Sequence, residues 1–181
     1  MESERVLRTE RQVLRPIRDT DIENVHRALS HPKVIKYYAV QYLTLEATEE
    51  QMKWFRNIVA NETGQWWALE ESSSESFVGG IGITSIDKKH KRGELGYWLL
   101  PEYWNKGFMR EALSAVIGFA FKELGLHRLM AEVETENKSI RKLVQGLGFK
   151  HVGTLREVEK GDSNWISLDI FGLLSTDQKS I

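Results

Sequence analysis

With 181 residues, 41% of them apolar and 28% charged, the chain is long enough to bury one sizeable core and reads as one domain over 1–181. A formal charge of −1 gives no sign-driven attraction to nucleic acid, and the lack of cysteine excludes disulfides, thiol nucleophiles and cysteine metal sites. No apolar run reaches membrane-spanning length, and the charged start Met1-Glu2-Ser3-Glu4-Arg5 does not read as a signal peptide, so a soluble, cytoplasmic protein is expected.

Arg5 to Arg18 reads as an extended segment that Pro16 ends or bends. Asp19 or Thr20 then caps a helix whose apolar residues Ile22, Val25 and Leu29 recur at helical spacing. His26 and His31 are each isolated, and an isolated histidine beside a helix is far more often packed or solvated than catalytic. Thr48 and Gln51 form a capping-box pattern ahead of a helix with Met52, Phe55, Ile58 and Val59 on its buried stripe. Gln65–Glu70 and Phe77–Ile86 read as antiparallel strands joined by the polar loop Glu71–Glu75. Gly79-Gly80-Ile81-Gly82 lies inside a strand with no helix after it, so it reads as close packing and not as a phosphate loop. Asp87–Arg92 is a basic turn, most simply solvated, and able to meet RNA phosphates only if the partner is ribosomal.

The stretch that organises the chain is Tyr97–Ala112, Y-W-L-L-P-E-Y-W-N-K-G-F-M-R-E-A. An apolar strand breaks at Pro101, crosses a short loop, and enters a helix near Gly107. Such a helix start carries amides without intrahelical partners and the positive end of the dipole, a ready anion site. A glycine there lets a phosphate approach the backbone. After this helix, Phe108–Leu124, come a strand at His127–Thr135, a helix at Asn137–Leu147, and strands at Lys150–Val158 and Asn164–Leu174. The tail from Ser175 is polar.

The central residues resemble the acetyl-CoA-binding motif of the GCN5-related N-acetyltransferases (GNAT superfamily), in particular the branch of ribosomal-protein-alanine N-acetyltransferases. Gly93-Glu94-Leu95-Gly96-Tyr97-Trp98-Leu99 matches that branch's strand, and Pro101, Tyr103, Trp104, Lys106, Gly107, Phe108, Met109, Glu111 and Ala112 match its loop and helix start. A second signature, Asn137…Leu143…Leu147-Gly148-Phe149, resembles the family's Asn-to-Gly-Phe segment. The resemblance implies an α/β fold with a mixed, mostly antiparallel twisted sheet of about seven strands and flanking helices.

It also implies a chemistry: direct transfer of acetyl from acetyl-CoA to a primary amine, with no metal. The amides around Lys106, Gly107, Phe108 and Met109, extending to Arg110, are expected to hold the pyrophosphate. The backbone of Leu99 and Leu100 is expected to pair with the pantetheine arm as an added strand does, one amide polarising the thioester carbonyl, with Asn137 against the arm's other side. Glu94 is the expected general base, acting through water, with Glu134 in reserve. Tyr37 and Tyr38 are candidates to contact the acceptor, although packing of the loop accounts for them equally well. The family's thiolate-protonating Tyr and Ser positions are Val144 and Ile140 here, and Ser139 is expected to point elsewhere on the helix.

The acceptor is expected to be a protein N-terminal α-amine or a small-molecule amine. At pH 7 an α-amine is neutral on the order of a hundred times more often than a lysine amine, so it needs less help from a base. The reading from another class is a noncatalytic acetyl-CoA sensor or interaction domain. A homodimer through the final strand is also open.

Overall fold

A computed structural model describes residues 5–38, 40–161 and 164–178. Among them, eight strands form one sheet: β1 (Leu7–Arg8), β2 (Gln12–Pro16), β3 (Gln65–Glu71), β4 (Phe77–Asp87), β5 (Arg92–Leu99), β6 (Arg128–Glu134), β7 (Lys150–Lys160) and β8 (Trp165–Leu174). The order across the sheet is β1-β2-β3-β4-β5-β6-β8-β7. Every pairing is antiparallel except β5 with β6.

Helix α4 (Phe108–Lys122) covers one face of the sheet because Phe108, Ala112, Leu113, Val116, Phe119 and Ala120 recur at helical spacing and are all buried. They pack on Leu95, Leu99, Leu129, Ala131, Val133 and Phe171, together with Val144 of α5 (Lys138–Gly146). The opposite face is covered by α1 (Ile22–Leu29), the short α2 (Pro32–Ile35) and α3 (Leu45–Ala60). Val25, Leu29, Met52 and Phe55 there meet Trp66, Ala68 and Trp98. Burying each Leu or Phe of these layers contributes about 1.5–3 kcal/mol before entropy is counted.

The parallel pair is the feature that makes a site. β5 and β6 are in register only over Arg92–Glu94 and Arg128–Met130. Beyond that point β5 stays with β4 while β6 stays with β8, so the two strands part and leave a wedge-shaped opening.

The structure corrects several expectations. The sheet has eight strands because the first segment folds back on itself: Thr9 N–H donates to the Gln12 carbonyl (2.9 Å), closing a hairpin that a single extended segment had not suggested. Helix α3 starts a turn earlier than the Thr48–Gln51 pattern implied. Thr44 is its cap, accepting from the Ala47 amide (3.1 Å), while Thr48 is buried and hydrogen-bonded to His26 Nδ1 (2.9 Å). That bond gives His26 a packing role. The final strand is not an edge, since β8 is inserted between β6 and β7, and the exposed apolar residues Val152, Leu155 and Val158 belong to β7. The Gly79–Gly82 run is close packing as expected, but largely against indoles. A Cβ on Gly82 would lie 2.3 Å from the Trp66 ring, and one on Gly80 2.7 Å from both Trp66 and Trp98.

Candidate active site

The opening between β5 and β6 leads into a cleft of about 950 Å³. Its walls come from the sheet, the start of α4, the start of α5, and the chain after α2.

On the α4 side, Gly107 caps the helix in the left-handed region at φ +83°, and no side chain caps it. A Cβ at that position would meet only Arg11 Nη2, at 3.2 Å. The first-turn amides of Phe108, Met109 and Arg110 have no intrahelical partners, and all three residues line the cleft. Arg110 also donates through Nη2 to the Gly146 carbonyl (3.1 Å), tying the start of α4 to the last residue of α5. Lys106 contributes backbone only: its carbonyl accepts from Arg11 Nη1 (2.9 Å), and its ammonium lies 5.8 Å over the Tyr103 ring.

Strand alternation decides which β5 amides face the opening. Leu100 N–H donates to Val78 of β4 (3.0 Å), and its carbonyl accepts from Tyr103 N–H (3.0 Å), so both groups are spent. Successive residues present their backbone groups to opposite edges, which turns Leu99 and Tyr97 toward β6. The Leu99 carbonyl already accepts from Trp104 Nε1 (2.9 Å), leaving its amide for a ligand. The expectation for Leu100 is thus corrected, and it is Tyr97 that shares with Leu99 the edge turned toward β6. Period-two alternation was available in the sequence, but the phase was not, because it depends on which carbonyl of β4 each amide meets.

Glu94 stands where the parallel pairing ends. It is half-buried and lines the cleft. Burial, and then the charge of Glu132, raise its pKa above the ordinary carboxylate range. Among the described residues no hydrogen bond or ion pair holds it. Glu134 is also raised, by burial and by Glu159, with Lys36 opposing. The register explains this crowd. Glu94 sits opposite Met130, and Glu132 and Glu134 lie on the same face of β6 as Met130. Glu134 pairs with Leu168, and two residues on Ile166 pairs with Glu159, so all four carboxylates line one face of the cleft. Glu132 and Glu159 were missed in the sequence because only cross-strand pairing brings them there.

Opposite them, Lys36 lies with its ammonium 4.8 Å over the Tyr37 ring, and its pKa is raised first by a hydrogen bond to Tyr37. Tyr37 and Tyr38 both line the cleft, and burial raises the Tyr38 hydroxyl well above its usual pKa. Asn137 is at the far lip. Its Oδ1 accepts from the Ile140 amide (3.3 Å) as the cap of α5, which leaves its NH₂ for the cleft. Val144 is fully buried in the core, whereas Ser139 and Ile140 line the cleft. Ser139 does so because α5 begins at the opening, so its first turn faces in, contrary to the expectation from helix phase alone. The basic turn Asp87–Arg92 contributes nothing to the walls and is occupied locally: His90 N–H donates to Asp87 (2.9 Å), and Lys88 pairs with Glu62.

Residues 11–150 match the model of the acetyltransferase (GNAT) domain. The chain belongs to the GNAT N-acetyltransferase family. It is 33% identical over 153 residues to YoaA of Bacillus subtilis (strain 168), an uncharacterized N-acetyltransferase, covering 84% of this chain and 86% of that one. A GNAT-family acetyltransferase from Bacillus anthracis superposes with a TM-score of 0.82 at 25% identity, over 94% of this chain and 98% of that one. Spermidine N-acetyltransferase from Vibrio cholerae, solved with CoA and spermine, superposes with a TM-score of 0.84 at 20% identity, over 92% and 97% of the two chains. Within the family the cleft fits acetyl-CoA, since the uncapped Gly107 turn suits a diphosphate and the free edge of β5 suits the two amides of a pantetheine arm. No helix in the described residues is long and apolar enough to cross a membrane.

Proposed function

We propose that this acetyltransferase acetylates a primary amine on a cationic acceptor, either a protein N-terminal α-amine or a small-molecule amine, with Glu94 as general base. Bound acetyl-CoA supplies the activated acetyl thioester. The Gly107–Arg110 amides hold the diphosphate, the Leu99 amide and the Asn137 NH₂ hold the arm, and the Tyr97 amide polarises the carbonyl. Tyr97 suits that task better than Leu99 because it stands three residues from Glu94, about 10 Å along the strand, and Leu99 about 17 Å. A bridging water then spans the remaining distance between Glu94 and the amine. Glu94 accepts the ammonium proton, and its raised pKa brings it nearer the operating pH than an ordinary carboxylate would be.

The single observation that carries the reading is an unpaired, half-buried carboxylate at the fork where a strand edge with free amides begins. The four carboxylates on one face support an acceptor that brings further positive charge, whether a polyamine or a basic N-terminal peptide. A thiol-release assay with acetyl-CoA and a panel of peptides, polyamines and monoamines tests it. Turnover that favours the multiply charged amines supports the reading, and turnover confined to monoamines or acidic amines overturns the acceptor class. Acetyl-CoA binding without turnover on any amine replaces the enzyme with a cofactor sensor.

A further inference from the structure

The turn that would hold the diphosphate lacks a side-chain cap of its own and carries a glycine, the residue with most conformational freedom to lose. Something else must fix it. The contacts come from two consecutive residues about a hundred positions earlier, at the start of β2. The Arg11 backbone amide and Nε both donate to the Glu111 carboxylate, each at 2.8 Å, while Nη1 donates to the Lys106 carbonyl at 2.9 Å. The guanidinium lies 4.7 Å over the Phe108 ring. Gln12, fully buried, donates through Nε2 to the Phe108 carbonyl at 2.9 Å. Arg11 is itself anchored, its carbonyl accepting from the Ser72 amide at 2.8 Å.

The carbonyls of Lys106 and Phe108, on either side of Gly107, are thereby gripped from behind. The amides of the first helical turn after Gly107 are left without intrahelical partners, at residues that line the cleft. We infer that Arg11 and Gln12 are positioning residues that preorganise the Gly107 turn for the diphosphate of acetyl-CoA, so that the β1–β2 hairpin is a working part of the cofactor site. The inference rests on the cofactor reading given above. The planar guanidinium reaches Glu111 and Lys106 from two separate nitrogens in a fixed fork, which the single nitrogen of a lysine at 11 does not reproduce. Preorganisation lowers the ordering cost of binding, so its loss appears in affinity and leaves the chemical step alone.

The test compares wild type with Arg11→Ala, Arg11→Lys and Gln12→Leu by calorimetry with acetyl-CoA, by amide hydrogen exchange across 106–111 without ligand, and by steady-state kinetics. Arg11→Ala is expected to weaken acetyl-CoA about tenfold, to speed exchange in the Gly107 turn, and to leave kcat within about twofold. Arg11→Lys falls between it and wild type, and because its charge and most of its length remain, it keeps the test valid if Arg11→Ala or Gln12→Leu fails to fold. Wild type that binds no acetyl-CoA overturns the cofactor reading and the brace with it. Binding by wild type and by folded Arg11 variants with equal affinity and equal exchange overturns the brace alone. A drop in kcat at unchanged affinity overturns it as well.

Discussion

The two walls of the cleft are built by different means. The wall proposed for the cofactor is backbone: Gly107 at positive φ, the first-turn amides of α4 and the free edge of β5, each fixed by hydrogen bonds to Arg11, Gln12, Val78, Tyr103 or Trp104. The wall proposed for the acceptor is side chain: Glu94, Glu132, Glu134 and Glu159 on the sheet, facing Lys36, Tyr37 and Tyr38 after α2. A backbone wall recognises a ligand that never changes, and it tolerates sequence drift as long as glycine and hydrogen bonds persist. A side-chain wall can be rewritten residue by residue.

The strongest way to break this contrast is Gly107→Val. A β-branched residue at positive φ costs about 1–2 kcal/mol in strain alone, and the new side chain presses on the Arg11 guanidinium that braces the turn. Calorimetry is expected to find acetyl-CoA affinity lowered a hundredfold or more; unaltered binding would mean the wall is not made of backbone.

Glu94→Gln comes next. It is expected to lower kcat about 10²-fold or more and to leave the acetyl-CoA Kd unchanged. In wild type, kcat/KM is expected to rise with pH through the raised pKa of Glu94. Stability moves the other way. Between the ordinary carboxylate value and the raised one, the folded state keeps a proton that the unfolded chain has released, so this group's contribution is lost as pH rises. Denaturant midpoints of Glu94→Gln should therefore gain on wild type with rising pH, and a gap that narrows instead would show Glu94 to be paired.

A smaller effect is expected from Glu132→Gln with Glu134→Gln. KM for a dication should rise about tenfold with that for a monoamine nearly unchanged, in keeping with exposed pairs worth roughly 0.5–1 kcal/mol each. Removing the Glu132 charge should also shift the Glu94 limb of the pH profile downward. The least effect belongs to Tyr37→Phe, which removes only the hydroxyl bonded to Lys36 and should change kcat/KM less than about twofold.

How much of this was legible beforehand differs between the walls. Tyr97–Ala112 is contiguous, so the strand, the loop, Gly107 and the helix start could be read directly, and the chain's membership of the GNAT family followed from the same window. Leu100 was misread because an amide's direction depends on the partner strand. Ser139 was misjudged because helix phase says nothing about where a helix begins relative to a cleft. The hairpin at Thr9–Gln12 and the cap at Thr44 were passed over for stronger local patterns nearby, and tertiary pairing overrode them.

Local pattern in the sequence determined most of the elements and their order, the anion-ready turn and a carboxylate on the central strand, because each depends on residues within one helix turn or one strand of one another. Tertiary structure alone decided that β5 and β6 part after Glu94, that four carboxylates share a face, that β7 and not β8 lies at an edge of the sheet, and that Arg11 and Gln12 reach Lys106 and Phe108. Those contacts join positions tens to a hundred residues apart, and only the folded sheet brings their atoms within bonding distance.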